Sequence, residues 1–317
     1  MKHRILCCLL AISLVFSVCP ALAAQTEAVV DRYDEVFDPA QDAGRLTARF
    51  LVMQTTSEEK PGDCTLLTSP DGKIMLLDAG EPTALPYVMD ALHALGITRI
   101  DCVVASHPHI DHIGGLADIL QNFEVGTVYT SELWHDTATY ARFMQAMDDA
   151  SVPHVILKTG DTLAFGEKVR VDVLWPPSPV VYYADYPNAS TSFINDHSLA
   201  LKFTFGQSTF LFAGDLYVAG EKEVVARYGD QLQADVLKVN HHGAATSSCK
   251  AWRTAVDAKL AVMMHDGLND LGVYQKYRRE DTQVFVTFLD GCVKISTSGD
   301  ATYDALTQWD RASDFLD

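Results

Sequence analysis

The segment Ser106-His107-Pro108-His109-Ile110-Asp111-His112-Ile113-Gly114-Gly115 constrains this chain more than any other. Three imidazoles and a carboxylate fall within six residues, directly after the apolar run Cys102-Val103-Val104-Ala105. The run reads as a buried strand, so the histidines must occupy a tight loop at its C-terminal end. Residues two apart in an extended loop point the same way. His107 and His109 can therefore hold one metal ion, while Asp111 and His112 turn toward a neighbouring one. Imidazole nitrogen and carboxylate oxygen are donors that suit zinc. The chain has only 11 histidines in 317 residues, and an ordinary surface loop does not explain three of them here.

The remaining pattern supplies a frame for that loop. Leu46 to Val52 reads as a strand, with Leu46, Ala48, Phe50 and Val52 on one face. Residues 64–68 and 73–77 read as a hairpin around Pro70-Asp71-Gly72, which delivers Asp78 at a strand end. Leu85, Val88, Met89, Leu92 and Leu95 form one helical stripe, stopped at Gly96. Further helices are expected over 113–123, 140–150, 221–228 and 272–279. Further strands are expected over 128–129, 155–157, 169–174, 199–205, 209–212, 236–239 and 260–264, with a closing hairpin over 283–297. Residues 178–194 read as a long loop carrying Tyr182, Tyr183, Tyr186 and Phe193 beside Asp185. Those rings either pack among themselves or face an amine or choline head group. Strand-rich halves that each carry helices predict an α/β chain with two sheets face to face and helices outside, a four-layer αββα sandwich.

Composition bounds the rest. Residues 1–24 have a basic start (Lys2, Arg4), an apolar core and Ala21-Leu22-Ala23, which reads as a signal peptide cleaved near Ala23 or Ala24. The expected order is then a leader over 25–45, a catalytic domain over 46–298 and an acidic tail over 299–317. No other stretch is apolar enough to span a bilayer, so an exported, soluble protein is expected. Cys64, Cys102, Cys249 and Cys292 remain after cleavage, either as disulfides or as buried thiols. The whole chain has a formal net charge of −18. So acidic a surface repels polyanions at long range and argues against nucleic acid as a partner, though not against a small anion held at a metal.

Several motifs, in order, resemble those of the metallo-β-lactamase superfamily. Leu76-Leu77-Asp78-Ala79-Gly80 resembles its first motif and the His-rich loop its signature. Phe212-Ala213-Gly214-Asp215-Leu216 and Lys238-Val239-Asn240-His241-His242-Gly243 resemble later metal-binding motifs. The resemblance covers roughly residues 46–298. With Gly62-Asp63, Pro70-Asp71-Gly72-Lys73 and Asn195-x-x-Ser198, it leans toward two branches. These are the extracellular hydrolase domain of ComEC-type DNA-uptake channels and the bacterial cell-surface phosphorylcholine esterase.

That resemblance implies two Zn2+ ions, with manganese or iron as other candidates. His107 and His109 would bind the first ion, Asp111 and His112 the second, and Asp215 both. His241 would complete the donor set of the second ion, with His242 behind it or on substrate. Asp78 would orient an imidazole. A further histidine common in the superfamily is replaced in the stretch Phe193-Ile194-Asn195-Asp196-His197-Ser198, so His197 either binds the first ion or a substrate or is a solvated loop histidine. Asn195 and His265 are candidates to touch substrate. The implied activity is hydrolysis of phosphoester or phosphodiester bonds by a metal-bound hydroxide, with Asp111 orienting it or shuttling its proton. An acyl hydrolase of lactonase or β-lactamase type uses the same centre, and a non-catalytic metal-binding module is the third reading. The expected ligand is a small anionic or phosphoester substrate, and no protein partner is expected.

Overall fold

The computed structural model describes residues 29–56, 60–188 and 190–310. The expected signal peptide over 1–24 lies outside the described residues. In chain order the strands are Leu46–Phe50 (β1), Thr65–Thr68 (β2), Ile74–Leu77 (β3), Arg99–Val104 (β4), Glu124–Thr130 (β5), His154–Ile156 (β6), Thr162–Phe165 (β7) and Val169–Trp175 (β8). Then come Ala200–Phe205 (β9), Ser208–Phe212 (β10), Val236–Lys238 (β11), Leu260–Met263 (β12), Gln283–Val286 (β13), Val293–Thr297 (β14) and Asp304–Thr307 (β15). They form an eight-stranded sheet ordered β15-β14-β1-β2-β3-β4-β5-β6 and a seven-stranded sheet ordered β13-β12-β11-β10-β9-β8-β7.

Three apolar cores stack through the molecule. Between the sheets lie Leu46, Phe50, Met75 and Val104 from one side and Phe203, Phe210, Phe212 and Val262 from the other. Outside the first sheet, helices Leu85–Ala94, Leu116–Asn122 and Ala138–Ala150 contribute Val88, Leu92, Ile119 and Phe143 to a second core. Outside the second sheet, helices Val218–Tyr228, Lys250–Val256 and Leu271–Arg279 contribute Val224, Trp252 and Tyr274 to a third. This is the four-layer sandwich expected from the pattern. Each sheet buries both faces, as sheets covered by helices do.

Four expectations change. The segment over 283–297 is not a hairpin. β13 runs parallel to β12 in one sheet, whereas β14 pairs antiparallel with β1 in the other. The single helical turn Thr287–Asp290 and Gly291 (φ 69) carry the chain across. Both strands are apolar, and apolarity alone does not say which sheet a strand joins. The acidic tail is also partly structural, because β15 adds an edge to β14 and Asp31 bridges to Trp309. In the expected leader, Val36 and Phe37 are buried, and fully buried Arg49 donates to Val36 O (2.7 Å) and Asp42 Oδ1 (2.9 Å). Finally, β1 stops at Phe50, so Val52 joins the outer core rather than the face of Leu46.

Lys250–Val256, Ser190–Asp196 and β7 also escaped the pattern, as did β15 and the short helices Tyr33–Val36 and Thr287–Asp290. Ser190–Asp196 ends the stretch read as a long loop. The aromatic rings there pack on one another. Tyr182 lies 4.7 Å from Tyr186 and 5.2 Å from Phe193, and Trp134 lies 4.8 Å from Tyr186. These ring contacts agree with the packed-loop alternative, with Tyr183 and Trp134 left exposed at its surface.

Candidate metal centre

Apart from Asn195 and His197, which lie at the end of helix Ser190–Asp196, the candidate residues follow strands at the same edge of the sandwich. Asp78 follows β3, the His-rich loop follows β4, Asp215 follows β10, His241 and His242 follow β11, and His265 follows β12. β3 and β4 are parallel, as are β10, β11 and β12, so their C-terminal ends share one rim. Open α/β sheets place ligand crevices at such rims.

Close backbone packing sets the loop positions. Gly62 (φ +79) touches the metal loop so closely that a Cβ would lie 1.5 Å from Asp111 O. Asp63 N donates to Asp111 O (3.2 Å). Gly214 (φ +50) lets the chain turn past Ser106 and Ser198, leaving Asp215 N to donate to Ser198 Oγ (3.3 Å). Asn240, His241 and His242 do not form an extended chain, because both histidines are left-handed (φ 48 and 53).

Side-chain atoms converge inside this frame. His107 Nε2 lies 3.0 Å from His109 Nδ1, close to the ~3.3 Å between two nitrogens sharing a tetrahedral cation. Asp215 Oδ2 is 3.2 Å from His112 Nε2, 3.2 Å from His242 Nε2 and 4.0 Å from His107 Nε2. Asp111 Oδ2 is 3.3 Å from His242 Nε2 and 3.9 Å from His112 Nε2. Asp63, His112, Asp215 and His242 offer donor atoms all within 4.8 Å of one another.

Of these four, Asp63 stands behind the others. It meets His242 at Nδ1 (3.0 Å) and lies 3.9 Å from His112 Nδ1, the faces turned away from Asp215, and it pairs with buried Lys238. Asp78 does the same for His112. Its Oδ2 accepts from Nδ1 (2.8 Å) and from Ser106 Oγ (2.7 Å), and its Oδ1 accepts from Ser106 N (2.7 Å). Carboxylates behind imidazoles fix the tautomer and turn Nε2 to the centre. That leaves His112 Nε2, His242 Nε2 and Asp215 Oδ1 buried without hydrogen-bond partners. Buried polar atoms are rarely left so, and this donor set fits a cation.

Of the paired histidines, the structure turns the second more closely toward the two carboxylates. His242 is buried and faces Asp111 and Asp215. His241 Nε2 is 3.9 Å from Asp215, and its Nδ1 is 2.5 Å from Thr246 Oγ1. The expectation assumed an extended chain, and two successive left-handed residues reverse it. His197 turns away, its Nδ1 donating to Phe193 O (2.7 Å) and its ring stacked on Phe193. Asn195 is buried, its Oδ1 is unpartnered, and it lines a cavity of about 430 Å³ with His109, Asp111 and Asp215. His265 pairs with Asp266 (3.0 Å), and its ring is 6.1 Å from that of His242.

The electrostatics follow from burial and pairing. Burial opposes charge on His112, but Asp215, Asp78 and Asp111 outweigh it and raise its pKa to about 10. Burial likewise opposes charge on His242, and Asp215 and Asp63 carry it well above the usual value. His109 lacks so close a carboxylate, and burial depresses it to about 4. Burial also opposes the Asp215 carboxylate, yet His112, His242 and Lys238 hold it ionised well below the ordinary range. Buried carboxylates and imidazoles of opposite charge thus pair at the centre, and binding of a metal would release the imidazole protons.

Asp63, Lys238, Lys60 and His135 join or line this site without having been singled out as site residues. Asp63 had a signal in Gly62-Asp63. Lys238 had one in Lys238-Val239-Asn240-His241-His242-Gly243, whereas Lys60 and His135 had none, since single lysines and histidines are common on any surface.

Residues 58–179 match the model of the metallo-beta-lactamase superfamily. ComE operon protein 3 of Bacillus subtilis (strain 168) is 27% identical over 184 residues, 58% of this chain and 22% of that protein. Competence protein ComA of Neisseria gonorrhoeae is 25% identical over 201 residues, 62% of this chain and 25% of that protein. The matches thus span a quarter or less of these relatives' length. Zn2+-bound PqqB from Methylobacterium extorquens superposes with a TM-score of 0.50 at 13% identity, covering 79% of this chain and 99% of that one, a likeness of fold. The motif order, the matched segment and the two covered sheets agree: this chain carries the metallo-β-lactamase fold.

Proposed function

We propose that this chain is an exported, binuclear metal-dependent hydrolase of phosphoester or phosphodiester bonds, with zinc as its metal. The observation that carries this reading is the convergence of buried, unpartnered imidazole Nε2 and carboxylate atoms on one point at the strand rim. His107 through Nε2, His109 through Nδ1 and Asn195 through its unpartnered Oδ1 would hold one ion. Asp111, His112 and His242 would hold the other, with Asp215 shared. Two dications supply acidified water and offset the charge gained in a phosphoryl transition state.

The chain's own residues do the rest. Asp78 and Asp63 hold the two imidazoles in the tautomer that points Nε2 inward. Lys238 donates to Gly214 O (3.0 Å) and lies 3.5 Å from Asp215 Oδ1, which fixes the turn presenting the shared carboxylate. Asp111 lines the cavity and is the centre's more exposed carboxylate, so it is placed to orient water or take its proton. The cavity admits a small substrate rather than a duplex, in keeping with the acidic surface.

Purified protein loaded with zinc tests this. It is expected to cleave bis-p-nitrophenyl phosphate and to lose that activity in Asp111→Asn. Cleavage of nitrocefin or a lactone alone would move the chemistry to acyl transfer. Failure to retain metal after dialysis would end the metal reading.

A further inference from the structure

One basic side chain beside the centre has no part in holding it. Lys60 lines the cavity that contains Asp111 and Asp215, and among the described residues no other lysine or arginine lines that cavity. Its Nζ lies 3.4 Å from His241 Nε2. An ammonium can only donate, so Nε2 accepts. The His241 proton is therefore on Nδ1, from which it is donated to Thr246 Oγ1. The Tyr217 ring packs against His241 at 4.8 Å and closes its third side. His241 thus acts as a brace that keeps the ammonium in the cavity, and two N–H groups of Lys60 remain beyond the one it takes. The same Nε2 lies 3.9 Å from Asp215 Oδ2, so Lys60 stands two contacts from the carboxylate assigned to both ions.

We propose that Lys60, braced by its contact with His241, forms an anion subsite that binds a non-bridging oxygen of the substrate's phosphate. The chain's net charge of −18 repels anions at a distance, so an anionic substrate must meet a local cation at the cavity. This also gives His241 a role once His242 has taken the inward position. The subsite deepens the phosphoester reading and rests on it for the identity of the anion.

The test compares zinc-loaded wild type with Lys60→Met and Lys60→Arg, after confirming equal metal content. Inorganic phosphate binding is measured by calorimetry and bis-p-nitrophenyl phosphate hydrolysis by steady-state kinetics. In Lys60→Met, phosphate affinity is expected to weaken and KM to rise, each by about 10- to 100-fold, the range for one charge-assisted hydrogen bond. The kcat should stay within about threefold, and Lys60→Arg should recover most of the binding. Equal phosphate affinity in wild type and Lys60→Met, or no phosphate binding by either, overturns the subsite. Lys60-dependent phosphate binding without hydrolysis by wild type would sink the hydrolytic reading and leave the subsite standing. Hydrolysis that ignores Lys60→Met would do the reverse.

Discussion

Asp78 and Asp63 decide which nitrogen each neighbouring imidazole offers. Without Asp78, His112 Nδ1 loses an acceptor at 2.8 Å, and Ser106 loses partners for both its N–H and its hydroxyl. Removing a carboxylate behind a metal-binding histidine lowers metal affinity by about 10- to 100-fold. Asp78→Ala is therefore expected to lose zinc to a chelator at 10- to 100-fold lower chelator activity than wild type. Its far-ultraviolet circular dichroism should stay native, because the sheets around it do not depend on that carboxylate. The paired histidines give a sharper contrast. His242→Ala should bind one zinc fewer per chain, whereas His241→Ala should keep full stoichiometry, both read by elemental analysis of dialysed protein. Equal stoichiometry in the two variants would remove the basis for exchanging their roles. Asn195→Ala should weaken one of the two metals selectively, because its carboxamide oxygen is buried without a partner and the residue lines the same cavity as His109.

At the scale of elements, the site depends on loops that approach within backbone contact. Gly62 is the tightest of these, with positive φ and no room for a Cβ beside Asp111 O. Gly62→Ala must push the metal loop away or strain its own backbone, a cost of about 1–3 kcal/mol for a forced left-handed residue before any clash. The expected result is a lower melting temperature together with loss of metal, read by calorimetry and elemental analysis. Most elements carrying the site were legible because their periodicity is strong: β1 to β4, the Leu85–Ala94 helix and β8 to β12 read clearly as strand or helix. The pieces that were missed lack such a signal. Lys250–Val256 buries Trp252 and Val256 but spans only seven residues, too few for a stripe. The crossing between β13 and β14 depends on tertiary partners. The His-rich loop announced its chemistry through composition. The choice between His241 and His242 rested on two dihedral angles that adjacent identical residues do not reveal.

For the whole molecule, the centre ties the two sheets together. His107, His109, Asp111 and His112 hang from the first sheet, and Asp215 and His242 hang from the second. A cation shared among them would be a cross-link between layers otherwise joined by an apolar core. Metal bound only by the folded state adds stability as RT ln(1 + [M]/Kd), about 4 kcal/mol at a thousandfold excess over Kd. For a domain of this size, each kcal/mol moves the melting temperature by about 2–4 °C. Chelation is therefore expected to lower it by about 10 °C, and added zinc to restore it. Loss of metal should not unfold the chain outright. His112 and His242 can keep their protons and pair with Asp78, Asp63, Asp111 and Asp215 instead of sharing a cation with them. Phosphine reductants should leave the transition where it is, because Cys64, Cys102, Cys249 and Cys292 are all free thiols. A melting temperature that falls with reductant but ignores the chelator would mean that a covalent bond, and not an ion, holds the two layers at this rim.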